Sequence, residues 1–289
     1  MVVAQNAQDG QPDPVEAFRE KAVTALDGLF ESAKTANELH YAMALMAEYR
    51  GMAGSGWNTA EDAVNAYDAY KNLIESLEED EPARMRVILG FYLHVAEAIG
   101  LYEVPERMML TIEGKGNNYR PFQKLVKRHK KTGKAISPGA NAVMKVLMGH
   151  AYNLGLHDLS DTFNEAFDSD LRNSIAHADY TLVRDGMRLR RRYGEDVREI
   201  SWAELDTIIV KGLNFFGYMR DLIKLHIETY DPPRTIQAQL NEREPVTAWT
   251  IFYGPASGKF GVTTGATPPD GYNNPPARPM AEPQNSLAY

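Results

Sequence analysis

The chain has 289 residues, a net charge of −8 and no cysteine. That length holds one large helical domain or two smaller ones, and the missing thiols exclude disulfides, cysteine nucleophiles and cysteine-ligated metal. The acidic balance argues against a general nucleic-acid coat and leaves room for a local basic site. No run of about eighteen apolar residues and no basic-then-apolar leader is found, so the expectation is a cytoplasmic protein without membrane contact.

In chain order, residues 1–14 are polar and rich in Gln, Asp and Pro. They read as a disordered leader that ends at Asp13-Pro14, a helix start. Apolar residues at helical spacing follow to about Arg50, among them Phe18, Ala22, Leu26 and Leu29, then Ala42, Leu45 and Met46. They predict two helices broken near Lys34 to Asn37. A glycine-rich break covers Gly51 to Gly56. Asn58 or Thr59 then opens a helix to about Glu79, with Glu61 and Asp62 in its first turn and the acidic run Glu78 to Glu81 at its end. Pro82 to Gly100 reads as a further helix, although the alternation of Val87, Leu89, Phe91, Leu93 and Val95 also suits a strand. His94 within it is expected to be structural. Glu103 to Tyr119 carries mixed signals and ends in the turn formers Gly114 to Asn118.

Lys124, Lys127, Arg128, Lys130, Lys131 and Lys134 surround His129 in the densest lysine run of the chain. Two readings stand: a solvated helix end and loop, or contacts to an RNA phosphate backbone through Lys127, Arg128 and Lys130. No aromatics interleave there to stack bases. Ser137 to Gly139 marks a boundary, after which Ala140 to Leu156 reads as a helix and Leu159 to Phe167 as another. His150, His157 and Asp161 have the spacing of a metal set, but Gly155 interrupts the helix that would align them.

Next comes Phe163 to Tyr180, where Arg172, Asn173 and His177 lie within six residues. Ser169 and Asp170 are candidate N-caps, and Leu171, Ile175 and Ala178 a buried stripe. Asn173 and His177 then share one face, whereas Arg172 and His177 stand about 140° apart, so one rigid helix does not aim both at one point. The run Arg172-Asn173-Ser174-Ile175-Ala176-His177 resembles the signature of the HEPN superfamily, an arginine with a polar neighbour and then a histidine after four to six intervening residues, four of them here. The resemblance covers roughly Pro138 to Tyr230. It implies a helical bundle and a metal-independent endoribonuclease that uses no cofactor. It also implies catalytic roles for Arg172, Asn173 and His177, a site completed where two protomers of a homodimer meet, and the setting of a toxin or phage-defence effector, with an antitoxin or regulatory protein as a further partner.

Arg184, Arg188, Arg190, Arg191, Arg192 and Arg198 follow closely. Arg184, Arg188, Arg190 and Arg191 are candidate RNA contacts beside the motif, or else a solvated connection, and the alternation there also fits a short hairpin. Ser201 to Glu204 is a capping box. It opens a helix to about Tyr230 with Leu205, Ile209, Leu213, Phe216, Met219 and Ile223 on a face that is core or dimer contact, and Asp231-Pro-Pro233 stops it. Beyond 234 the composition turns to Pro, Gly and Thr. Val246 to Tyr253 and Lys259 to Thr263 have strand propensity for a hairpin, and 264–289 reads as disordered. Gly254 to Lys259 lacks the spacing of a phosphate loop.

The sequence therefore predicts an all-α, HEPN-like helical bundle with extra N-terminal helices at 15–135, the HEPN-like domain at 136–233 and a tail at 234–289. Three roles remain for the motif: transphosphorylation of RNA by His177 with Arg172 and Asn173, binding of nucleotide, RNA or a protein partner without chemistry, and a purely structural brace in which Arg172 pairs with a carboxylate such as Asp168.

Overall fold

Residues 13–46, 59–78, 82–116, 118, 120–190 and 197–275 are described by the computed structural model. The leader to residue 12, the break at 51–56, Asn58, residues 79–81, Arg191, Arg192 and the tail from 276 lie outside the described residues.

Contacts divide the chain into two units, Met1–Ile223 and Lys224–Tyr289. In the first, Asp13 accepts a hydrogen bond from the Val15 amide and starts α1 (Pro14–Ala36). Asn37 ends it and caps α2 (Glu38–Leu45) through the His40 amide. Then come α3 (Thr59–Ser76), α4 (Pro82–Ala96) and α5 (Ile99–Ile112). A hairpin of β1 (Lys127–Arg128) and β2 (Ala135–Ile136) precedes α6 (Ala140–Asn153), α7 (His157–Ala166) and α8 (Ser169–Ala176). Strands β3 (Tyr180–Val183), β4 (Gly186–Leu189) and β5 (Arg198–Ser201) form an antiparallel sheet, and α9 (Trp202–Glu228) follows from a cap in which Ser201 Oγ accepts from the Glu204 amide.

The all-α expectation is overturned. Among the described residues there are three small antiparallel sheets, β1-β2, β3-β4-β5 and β6-β7-β8. The first five strands are two to four residues long, too short for period-two alternation to stand out against helical neighbours. The lysine run is thus a β-hairpin, not a helix end. Of the alternatives left open, Tyr180 to Leu189 is a hairpin with Tyr180 opposite Leu189, and Val87 to Val95 is helical.

The helices share one interior. Helix α1 buries Phe18, Ala22, Leu26, Leu29, Phe30 and Ala33, and α2 is buried from Leu39 to Leu45. Glu165 of α7 takes ammonium groups from Lys21 of α1 and, at 2.6 Å, Lys211 of α9, which ties three helices together. Tyr67 of α3 stacks on Phe216 of α9 at 5.1 Å, and His94 Nε2 donates to the Ala63 carbonyl at 3.2 Å. By length and apolar character Ala83–Ile112 would suit a membrane span. It is two helices separated at Glu97 and Ala98, however, and it contributes Leu89, Phe91, Tyr92, Leu101 and Tyr102 to the interior together with a buried Arg107.

Within this unit a second cluster holds the motif. Leu89 and Tyr92 of α4, Leu171 of α8, Met187 and Leu189 of β4, Ile200 of β5, and Leu205 and Ile209 of α9 are all buried together. Full burial of a side chain such as Leu171 contributes about 2 kcal/mol, so α8 is clamped between α4 and the sheet.

The second unit carries β6 (Arg234–Ala238), β7 (Thr247–Gly254) and β8 (Lys259–Thr264). The hairpin expected here is present, but β6 adds a third strand. The segment beyond it, expected to be disordered, is folded as far as 275: Tyr272 packs edge-on against Phe252 at 5.5 Å and Asn273 accepts from the Ala256 amide at 2.8 Å.

Gly186 begins β4 with φ 159°, and a Cβ there would meet the Ile200 carbonyl oxygen at 2.0 Å. Gly186→Ala is expected to lower stability by about 2 kcal/mol or more in urea titration, because backbone must shift in the strand pair that supports α8. Gly28→Ala, with nothing within 4 Å of an added Cβ, is expected to be stabilising by up to about 1 kcal/mol.

Candidate functional site

Asp168 and Ser169-Asp170 offer three adjacent cap-competent side chains, and tertiary contacts select the first. Neither Ser169 nor Asp170 is the cap. Asp168 Oδ1 accepts from the amides of Asp170 and Leu171 at 3.0 and 2.8 Å, and Oδ2 accepts from Arg198 Nη1 at 2.8 Å. The Asp168 amide donates to Tyr92 Oη at 2.9 Å. Burial pushes the Tyr92 hydroxyl well above its ordinary range, the Asp168 charge adds to that, and it stays neutral.

Arg172 points from α8 towards the α4–α5 junction, where Nη2 forms an ion pair with Glu97; its side chain is 16% exposed. Nη1 donates to Asn173 Oδ1 at 2.7 Å, and the same oxygen accepts from Asn141 Nδ2 of α6 at 3.3 Å. Arg172 Nε and Asn141 Oδ1 are buried without a hydrogen-bond partner. Burial lowers the Arg172 pKa, but a guanidinium remains charged at any physiological pH. The carboxylate partner that the brace reading gives Arg172 is thus Glu97 and not its example Asp168, which pairs with Arg198.

His177 is the C-cap residue of α8. Its amide donates to Asn173 O at 3.0 Å, so the one-turn relation to Asn173 is kept, and its side chain is exposed, with no hydrogen bond to the ring from a described residue. Helix α8 closes in a Schellman arrangement: Ala178 N donates to Ile175 O at 3.2 Å and Asp179 N to Ser174 O at 2.8 Å. This turn requires a left-handed residue, and Ala178 takes that position at φ 53°. Ala178 is accordingly exposed and outside the helix, not part of the buried stripe expected for it. A non-glycine residue held left-handed immediately after an exposed histidine marks a position where conformation is kept at a cost.

One chain therefore turns Arg172 inward and His177 outward, as their angular separation requires, and does not bring them together. Around them, Arg184 is exposed in the β3–β4 turn, with its carbonyl bound by Trp202 Nε1 at 3.0 Å. Arg188 is exposed on β4 and pairs with Glu199 across the sheet at 3.1 Å. Arg190 is exposed beside the motif, its amide on Asp179 O at 2.8 Å. Arg191 lies outside the described residues. Lys127, Arg128 and Lys130 are exposed on the β1-β2 hairpin. Arg198, grouped by sequence with the basic run, is a structural ion-pair partner of Asp168 and Glu204.

The histidine pair considered for metal is not assembled. His150 lies between two carboxylates, Nδ1 to Glu106 at 3.0 Å and Nε2 to Glu113 at 2.9 Å, while His157 is exposed against the Tyr152 ring. Among the described residues no group of three or more His, Asp or Glu is placed to hold a metal ion. Sequence reasoning missed Glu97 and Asn141, whose partners lie on other helices. No spacing announces either.

Comparison with protein-family models, with curated proteins and with solved structures returns no match for this chain.

Two outcomes are expected here. Ala178→Gly relieves the left-handed alanine and raises stability by about 1 kcal/mol in urea titration; no gain would mean the turn is not formed. Burial opposes charge on His150, but Glu106 and Glu113 outweigh it and raise its pKa above 6.5. Lys115 first, and His150 after it, hold Glu113 below 4.5. The His150 contribution is complete below its unfolded value of 6.5 and is lost as pH rises through the raised folded value. The Glu113 contribution is complete above 4.5 and is lost as pH falls through its lowered value. The stability difference between the wild type and His150→Gln should peak between those two values and shrink on either side. A difference constant with pH would sink this account.

Proposed function

We propose that this protein is a metal-independent endoribonuclease of HEPN type that works as a cytoplasmic homodimer, in a toxin or phage-defence setting with an antitoxin or regulatory partner. The observation that carries the reading is His177: an exposed imidazole without a partner among the described residues, at the end of a helix clamped on both sides, with Arg172 and Asn173 within two turns of it. A neutral imidazole takes the proton of a ribose 2′-hydroxyl, the freed oxygen attacks the adjacent phosphorus, and the 5′-oxygen leaves with a proton from the partner's His177. The products are a 2′,3′-cyclic phosphate and a 5′-hydroxyl end. Arg172 stabilises the charge that builds on the phosphoryl oxygens, and Asn173 holds Arg172. Two facing copies supply both an acid and a base, and set Arg172 of one beside His177 of the other. Arg184, Arg188 and Arg190 border that face and contact the RNA backbone.

One observation favours a second reading. The Arg172 guanidinium is already engaged by Glu97 and Asn173, as a helix brace would be, so a module that binds RNA or a protein partner without chemistry fits that part of the site.

Incubation of the purified protein with single-stranded RNA in EDTA separates the readings. The nuclease predicts cyclic-phosphate ends, inert DNA and cleavage slowed by about 10²–10⁴-fold in His177→Ala. RNA binding without cleavage, lost in Arg172→Ala, supports the second. Variants that change thermal stability alone would leave only a brace.

A further inference from the structure

The charge of this chain is segregated. Between Glu113 and Asp158 there is no carboxylate, whereas nine of the 31 lysines and arginines fall there; the other 22 share the rest of the chain with all 39 carboxylates. The centre of that acid-free stretch is the β1-β2 hairpin. Lys127, Arg128, Lys130, Lys131 and Lys134 are exposed on it and Lys124 is exposed in the turn just before it, and none of the six forms an ion pair with a described residue. Six like charges a few residues apart repel one another, and no carboxylate relieves them, so the arrangement asks for an external polyanion.

The hairpin is also built to hold its shape. Its turn is closed by His129 N on Lys134 O at 2.8 Å and Gly133 N on His129 O at 2.9 Å, while Arg128 Nη1 donates to the Gly133 carbonyl at 3.1 Å. Both roots are anchored, by buried Phe122 before it and buried Ala140 after it. The second root leads straight to the motif. Asn141, bonded to Asn173, is five residues beyond Ile136, the end of β2, and five extended residues span at most about 18 Å.

We propose that this hairpin is a docking arm for the phosphate backbone of RNA, gripping a strand a few nucleotides away from His177 by charge and without reading its sequence. The proposal rests on the nuclease reading for the choice of RNA as the occupant, and it deepens that reading by assigning substrate capture to an element outside the motif. An anionic membrane suits the surface less well, because Ile136 is its only exposed large apolar side chain among the described residues. Absence of stacking aromatics makes the grip electrostatic, so it should be steeply salt-dependent and indifferent to base identity.

The test uses the full chain with His177→Ala, so that RNA stays intact, and a fluorescein-labelled single-stranded RNA of ~20 nucleotides read by anisotropy between about 50 and 200 mM salt. Replacing Lys127, Arg128, Lys130 and Lys131 together by glutamine should weaken binding at least tenfold at low salt. The slope of log Kd against log salt should fall by up to about 3, at ~0.7 per lost contact, with thermal stability nearly unchanged, because these side chains are exposed and form no ion pair with a described residue, Arg128 giving up one exposed hydrogen bond to the Gly133 carbonyl. DNA of the same sequence should bind equally well to the arm. Unchanged RNA affinity in the fourfold variant overturns the proposal, as does binding to phosphatidylserine vesicles with none to RNA. A wild-type protein that binds RNA through the hairpin but yields no cyclic phosphate sinks the nuclease reading and leaves the arm standing.

Discussion

Asp168 is the pivot on which the motif turns. One carboxylate oxygen caps α8 through two amides, the other holds Arg198 of β5, and the backbone amide is pinned by Tyr92 of α4. Helix α8, the β3-β4-β5 sheet and α4 therefore meet at one residue. An isolated helix of eight residues has no stability of its own in water, so α8 exists because this cap and the apolar cluster below it impose it. The arrangement also explains why Arg198 cannot serve as a free backbone clamp: removing it would leave a half-buried carboxylate that has to be solvated or neutralised.

A short clamped helix dictates what its residues can do. Over eight residues there is no room for bending, so the angular separation of Arg172 and His177 becomes a division of labour: one faces the α4–α5 junction, the other faces solvent. The Schellman turn at Ala178 and Asp179 then sends the chain directly into β3, and Arg190 returns to Asp179 from the end of β4. Any chemistry that needs both groups at one phosphate must draw the second from another copy or displace Glu97 first.

How much of this was legible in the sequence varies with the length over which each signal accumulates. Helices α1 and α9 declare themselves over six or more turns, and their caps at Asp13 and Ser201 are where the patterns put them. The strands around the motif contain four residues each, less than the span over which alternation separates from helical periodicity, so an all-α expectation followed. At the site, the residue types Arg172, Asn173 and His177 stood out in one dimension, as did their angular conflict. Their partners did not. Glu97 is 75 positions away in the sequence and Asn141 is 32 away, and only the packing of α4, α6 and α8 chooses them. The cap was ambiguous for the same reason, since Asp168, Ser169 and Asp170 differ little in propensity, and a distant arginine decides between them.

Net charge is a poor guide to a molecule whose charges are sorted. At physiological ionic strength fields decay over about 8 Å, so a strand near the β1-β2 hairpin responds to the six cations there and hardly to the carboxylates elsewhere. If the hairpin is the docking arm proposed above, the negative remainder works in the same direction, because it disfavours polyanions over the rest of the surface. A chain of net −8 built in this way gains selectivity of position from the very balance that argues against a nucleic-acid coat. The lysine run and the overall acidity, which the sequence presents as opposing indications, are on that view two parts of one device.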